Sequence, residues 1–124
     1  MTHGRLTQWN WVVYYPEKLT LGYGVDIGSF TYINAQYGVE IGDFTQVGSG
    51  CSIYSTCTQT GRHGTVKIGK RCKIGSGTLI LPGAEIEDDV EIHAKAIIGY
   101  NARIPKDSVI LSRMTLNSDF GKKL

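Results

Sequence analysis

Three histidines, at 3, 63 and 93, and three cysteines, at 51, 57 and 72, are the residues of this chain whose types lend themselves to chemistry. Histidine exchanges a proton near neutral pH without a large perturbation of its pKa, which makes each imidazole a candidate general base. A catalytic zinc needs three converging ligands, usually with two of them close in sequence. His63 and His93 are 30 residues apart and His3 lies near the N-terminus, so no metal site is expected. The cysteines are odd in number and form no C-x-x-C pair, which argues against a disulfide framework, a redox motif and a zinc knuckle. His63, in the stretch "TGRHGTV", is the strongest candidate because of what surrounds it.

What must position it is a pattern of period six. Isoleucine recurs at 68, 74, 80, 86, 92, 98 and 104, and Ile27, Ile33, Ile41, Val47 and Ile53 carry the beat upstream. Four residues after each beat stands a small or β-branched side chain: Thr31, Thr45, Cys51, Cys57, Cys72, Thr78, Ala84, Val90, Ala96, Ala102 and Ser108. Six is not a helical period, and glycine follows many of the beats, which predicts short strands separated by tight turns. One bulky and one small inward residue per step fill a narrow prism whose coils lie on one another, a parallel β-solenoid. All three cysteines fall on the small inward position and are expected to be core filler.

The run "IGKRCKIGSGTLILPGAEI" resembles the hexapeptide-repeat acyltransferases, and the resemblance covers roughly 21–109. It implies an all-β fold, a left-handed parallel β-helix of about five triangular coils with three hexapeptides each. It also implies a homotrimer in which prism sides pack together. The expected organisation is an N-terminal segment, 1–20, capping the first coil with Trp9, Trp11, Tyr14 and Tyr15, then a β-helix over 21–109, then a tail, 110–124.

The beat breaks twice. Ile33 to Ile41 is eight residues, two too many, and Ile53 to Ile68 is fifteen, read as two hexapeptides plus three extra residues. Counting sides around the triangle, both insertions follow the same side in adjacent coils. Val39 and Val66 restore the inward position, confining the extra residues to about 34–38 and 58–65. Loops projecting from a rigid scaffold are where functional residues concentrate. These offer Asn34, Gln36, Tyr37, Thr58, Gln59, Arg62 and His63, of which histidine alone is a residue type able to exchange a proton near neutral pH without a large perturbation.

The resemblance supplies the chemistry to test: a loop histidine takes a proton from a substrate hydroxyl or amine as it attacks the thioester of acetyl-CoA. His63 is the implied general base and Asn34 its polar partner, with Tyr37, Tyr54 and Arg62 on the acceptor side. Ser76 and Ala94, with Gly99 and Tyr100, are the implied coenzyme contacts. The acceptor implied is a small molecule, a sugar or nucleotide-linked sugar. His63 lies further along the chain than the usual family histidine, and the C-terminal "G-x-P-A" stretch of the family is missing, leaving Lys122 and Lys123 as phosphate-binding candidates. Two other readings use the same prism. One is a γ-carbonic-anhydrase-like metalloenzyme, disfavoured by the histidine spacing. The other is a non-catalytic binding or assembly subunit.

Composition is consistent with one small domain: 124 residues, 41% hydrophobic and 19% charged. A net charge of +2 with acids and bases interspersed gives neither a nucleic-acid face nor a polybasic membrane anchor. No long apolar stretch appears, so a cytoplasmic location is expected.

Overall fold

The computed structural model describes residues 1–112 and the strand Thr115–Leu116. The chain winds as a prism. Its first coil is β1 (Val12–Tyr14), β2 (Leu19–Leu21) and β3 (Asp26–Ile27). The second is β4 (Tyr32–Asn34), β5 (Val39–Ile41) and β6 (Gln46–Val47), and the third β7 (Ser52–Tyr54), β8 (Val66–Ile68) and β9 (Lys73–Ile74). The fourth is β10 (Leu79–Ile80), β11 (Glu85–Ile86) and β12 (Glu91–Ile92). The fifth is β13 (Ile97–Ile98), β14 (Arg103–Ile104) and β15 (Val109–Ile110), and β16 (Thr115–Leu116) starts another turn.

Every pairing between these strands is parallel and joins equivalent strands of successive coils. The result is three flat faces, of six strands (face one, β1 to β16), five (face two, β2 to β14) and five (face three, β3 to β15). The beat residues line the axis: Ile33, Ile53, Ile80 and Ile98 of face one are fully buried. The beat also continues to Ile110, at 1% exposure, beyond the expected end of the solenoid.

The small inward residues do more than leave room. Thr31 Oγ1 donates to the Gly48 carbonyl at 2.7 Å, Thr45 Oγ1 to Gly69 at 2.6 Å, and Cys51 Sγ to Gly75 at 3.2 Å. Each hydroxyl or thiol thus satisfies a corner carbonyl that the narrow prism has withdrawn from water. Just before this inward position the backbone turns left-handed, with Gly50 at φ 65° and Gly77 at φ 71°. Phe30 (φ 63°) and Phe44 (φ 61°) occupy the same step, where an L-residue pays a steric penalty. Close coil contact explains other glycines: a Cβ on Gly75 would stand 2.5 Å from the Ala94 amide nitrogen.

Several expectations change. The solenoid begins at β1 and not near residue 21, because Val13 and Leu21 are beat residues separated by eight positions, which hid them from a strict period of six. Of the expected cap, Trp11 is buried at 5% exposure and Trp9 is exposed, whereas Tyr14 and Tyr15 hold His3 between their rings. Ile53 and Ile68 lie on consecutive faces, so the fifteen-residue interval is one step with a long excursion, not two hexapeptides plus three residues. Two consequences follow. Cys57 lies in the excursion and is only half-buried, unlike Cys51 and Cys72. His93 follows β12 on face three, one coil beyond the excursion, whereas counting two hexapeptides across the interval puts it on face one with Ile33 and Ile53, about two coils beyond. Among the described residues, no helix is long and apolar enough to cross a membrane.

Candidate functional site

The corner between faces one and two carries the irregularities. In the first coil it holds a 3₁₀ turn, Pro16–Lys18, in the second the turn 35–38, and in the third the excursion 55–65. Three successive coils therefore bulge at one corner. The first bulge escaped the sequence reading because it precedes the isoleucine run.

The excursion is a small hairpin. Thr56 and His63 form an antiparallel bridge, the Cys57 amide donates to the Arg62 carbonyl at 2.8 Å, and the Gly64 amide donates to Ser55 at 2.9 Å. Ser55 is fully buried at its base, where its hydroxyl donates to the Asn34 carbonyl at 2.8 Å and accepts the Tyr37 amide at 3.0 Å. Those two bonds splice the second-coil bulge to the third-coil one. Thr65 Oγ1 adds a bond to the Tyr37 carbonyl at 2.8 Å.

Two groups of side chains result. Beneath the hairpin, Tyr32, Asn34, Tyr54, Leu79 and Leu81 of face one and Thr56, Cys57, Thr58 and Gln59 of the hairpin enclose a cleft of about 290 Å³. Tyr14, Tyr32 and Tyr54 form a tilted ladder up this face with centroids 5.3 Å apart at each step. Burial raises the Tyr32 phenol above its ordinary pKa, so it remains a neutral hydrogen-bonding group. Asn34 is committed locally: its Oδ1 accepts the Gln36 amide at 3.1 Å and its Nδ2 reaches the Tyr32 hydroxyl at 3.5 Å.

Along the ridge of the hairpin lies the second group. The His63 ring stacks on Tyr37, centroids 4.2 Å apart and planes at 23°, with Nδ1 3.3 Å from the Gly61 carbonyl. Arg62 points the other way and lays its guanidinium 4.5 Å above the Tyr100 ring, a cation–π contact worth about 0.5–1 kcal/mol at an exposed site. Thr60 Oγ1 is 3.4 Å from the Tyr100 hydroxyl. Hydrogen bonding from that hydroxyl, and then from Thr60, brings the Cys57 thiol down to about 7, where a substantial fraction is thiolate at neutral pH. Cys51 and Cys72 are pushed up by burial.

Of the residues singled out from sequence, the structure brings Asn34 and Tyr54 into the cleft, and His63, Tyr37, Arg62 and Tyr100 into the ridge above it. Ser76 and Ala94 stand elsewhere, stacked in successive coils at the corner between faces three and one. Ala94 borders a shallow groove of about 600 Å³ along face three, with Gly48, Lys73, Gly75 and His93. Gly99 and Tyr100 lie at the hairpin corner, so within one chain the four implied coenzyme contacts fall at two corners. His93 is paired with Glu91 at 2.7 Å on face three and His3 lies among N-terminal tyrosines, which sends the three histidines to three places. Lys122 and Lys123 lie outside the described residues. Sequence reasoning missed Tyr32, Cys57, Leu79 and Leu81; Tyr32 is in register with Val12 and Ser52, not with Tyr14 and Tyr54, so no repeated residue type marked it.

Residues 71–106 match the family model "bacterial transferase hexapeptide (six repeats)". No curated protein matches the sequence. Among solved structures, a maltose O-acetyltransferase from Clostridium difficile 630 superimposes with a TM-score of 0.69 at 24% identity, over 82% of this chain and 58% of the other. AntD, an N-acyltransferase from Bacillus cereus solved as a mutant in complex with dTDP and coenzyme A, superimposes with a TM-score of 0.59 at 18% identity, over 82% of this chain and 72% of the other. The chain thus spans well under two thirds of the length of the O-acetyltransferase chain. The solenoid described above is a left-handed parallel β-helix, and its residues 71–106 match bacterial-transferase hexapeptide repeats.

Proposed function

We propose that this chain is an acyltransferase that moves an acyl group, acetyl in the simplest case, from acyl-CoA to a hydroxyl or amine of a small sugar-type acceptor, with His63 as general base. The observation that carries this reading is the alignment of three bulges at one corner, topped by a hairpin that sets a titratable imidazole beside an aromatic-walled cleft. A repeat fold gains nothing in stacking from such interruptions. Both solved relatives named above are acyltransferases, one of them holding coenzyme A.

In this reading the acceptor lies in the cleft against Tyr32 and Tyr54, with the Asn34 amide and Gln59 meeting its polar groups. His63 takes the proton as the acceptor attacks, which supplies roughly 10²- to 10⁴-fold. Acyl-CoA contributes an acyl carbon already activated as a thioester. The groove on face three suits an extended donor: it runs along successive coils from Asp26 through Gln46 and Lys73 to Glu91, Ala94 adds no bulk at its edge, and Lys73 offers a cation for phosphate. That groove lies along face three and the hairpin at the corner between faces one and two, so a donor on one copy meets His63 of another, which favours a homotrimer with shared sites.

Calorimetric titration with acetyl-CoA, followed by thiol-release assays over a panel of sugars and amines, tests the proposal. Saturable donor binding and acceptor-dependent thiol release support it. Absence of binding at millimolar donor contradicts it and favours a non-catalytic binding subunit.

A further inference from the structure

The hairpin that carries His63 reaches well beyond its own coil. Neighbouring residues of an extended strand project to opposite sides, and here Arg62 and His63 use that alternation to grip the prism in two directions. His63 turns back onto Tyr37, which belongs to the second coil. Arg62 reaches forward to Tyr100, which belongs to the fifth. The hairpin sits in the third coil and must therefore cross the fourth, whose corner presents Gly83 at the crossing point. A Cβ on Gly64 would stand 3.2 Å from the Gly83 backbone, and the Gly83 amide donates to the Gly64 carbonyl at 3.2 Å. The two glycines let the return limb lie flat on the fourth coil, bringing Thr60 and Arg62 within reach of the Tyr100 ring and hydroxyl.

We propose that Tyr100 and Tyr37 are positioning residues: Tyr100 anchors the hairpin through Arg62, and the hairpin so anchored presses His63 onto Tyr37, fixing where the imidazole stands. Neither tyrosine needs to touch a ligand for this. The catalytic consequence rests on the reading of His63 as the base, whereas the clamp itself stands on the geometry alone.

The experiment compares wild type with Tyr100→Ala, Tyr100→Phe and Arg62→Ala, reading the His63 Hε1 proton by NMR together with kcat and KM. Stacking on Tyr37 shifts that proton upfield through the ring current, and exposed His93 serves as the internal reference. Tyr100→Ala should move the His63 signal toward the His93 position and lower kcat roughly 10- to 100-fold with the donor KM little changed, since displacement of a base by about 1 Å has consequences of that size. Tyr100→Phe keeps the ring under the guanidinium and should leave His63 near its wild-type position. Arg62→Ala alters only an exposed loop side chain, and it should reproduce the Tyr100→Ala spectrum even if that variant folds poorly. A His63 signal unmoved in Arg62→Ala and Tyr100→Ala, or a Phe variant displaced as far as the Ala variant, overturns the clamp. Displacement of His63 with unchanged kcat leaves the clamp standing and removes His63 from the chemistry.

Discussion

Alkylation of Cys57 by iodoacetamide tests the local electrostatics of the hairpin quantitatively. Hydrogen bonding from the Tyr100 hydroxyl and then Thr60 lowers this thiol from 9.0 to about 7. At pH 7 about half of it is thiolate, against about 1% for an unperturbed thiol, a gain of roughly fiftyfold in reactive species. A less basic thiolate is also a weaker nucleophile. With a Brønsted slope of about 0.4–0.5, two pH units of lowered basicity cost roughly eightfold, so ionisation wins and the net gain is about sixfold at neutral pH. The same arithmetic reverses in alkali, where an ordinary thiol becomes the faster one. The predicted profile for Cys57 therefore rises through a midpoint near 7 and levels off early, while buried Cys51 and Cys72 stay unreactive in the folded protein. Mass spectrometry of digests gives the rate at each cysteine. Tyr100→Phe removes the largest cause and should move the midpoint upward. A midpoint above about 8.5 in wild type, or no movement in the variant, refutes the assigned contacts.

Three further outcomes follow from the prism itself. Ile53→Ala empties a fully buried position between adjacent coils and should lower stability by about 2–5 kcal/mol in urea unfolding. Gly75→Ala drives a Cβ to within 2.5 Å of the Ala94 backbone nitrogen, so refolding yield or melting temperature should fall sharply, whereas Gly50→Ala meets no neighbouring atom and feels only the cost of its left-handed backbone. Phe30→Asn replaces an exposed, bulky residue at φ 63° with one that tolerates that conformation, and should raise stability by up to about 1 kcal/mol.

How much the sequence discloses depends on what each residue answers to. The inward isoleucines and the small residues opposite them obey a single steric rule, so the prism and the shared corner of both bulges can be read directly. Where the chain departs from the rule, counting alone is ambiguous. Fifteen residues between Ile53 and Ile68 divide equally well into two short steps or one long one, and only the pairing of Ile68 with Ile41 decides it. Choosing the first division made Cys57 a core residue and put His93 on the wrong face. Residue types still marked His63, Tyr37, Arg62, Asn34 and Tyr54 correctly as neighbours of the bulges. Their partners were beyond reach: Tyr100 meets Arg62 across two coils, a contact set by the lean of a hairpin over Gly83 that no periodicity encodes.

The most direct test of the central claim is turnover of His63→Ala, measured by thiol release from acetyl-CoA with the best acceptor found for wild type, alongside sedimentation to check that the assembly is unchanged. A loss of about a hundredfold or more in kcat, with the same assembly as wild type, is the predicted result. Turnover equal to wild type contradicts the assignment of His63 as the base at this corner.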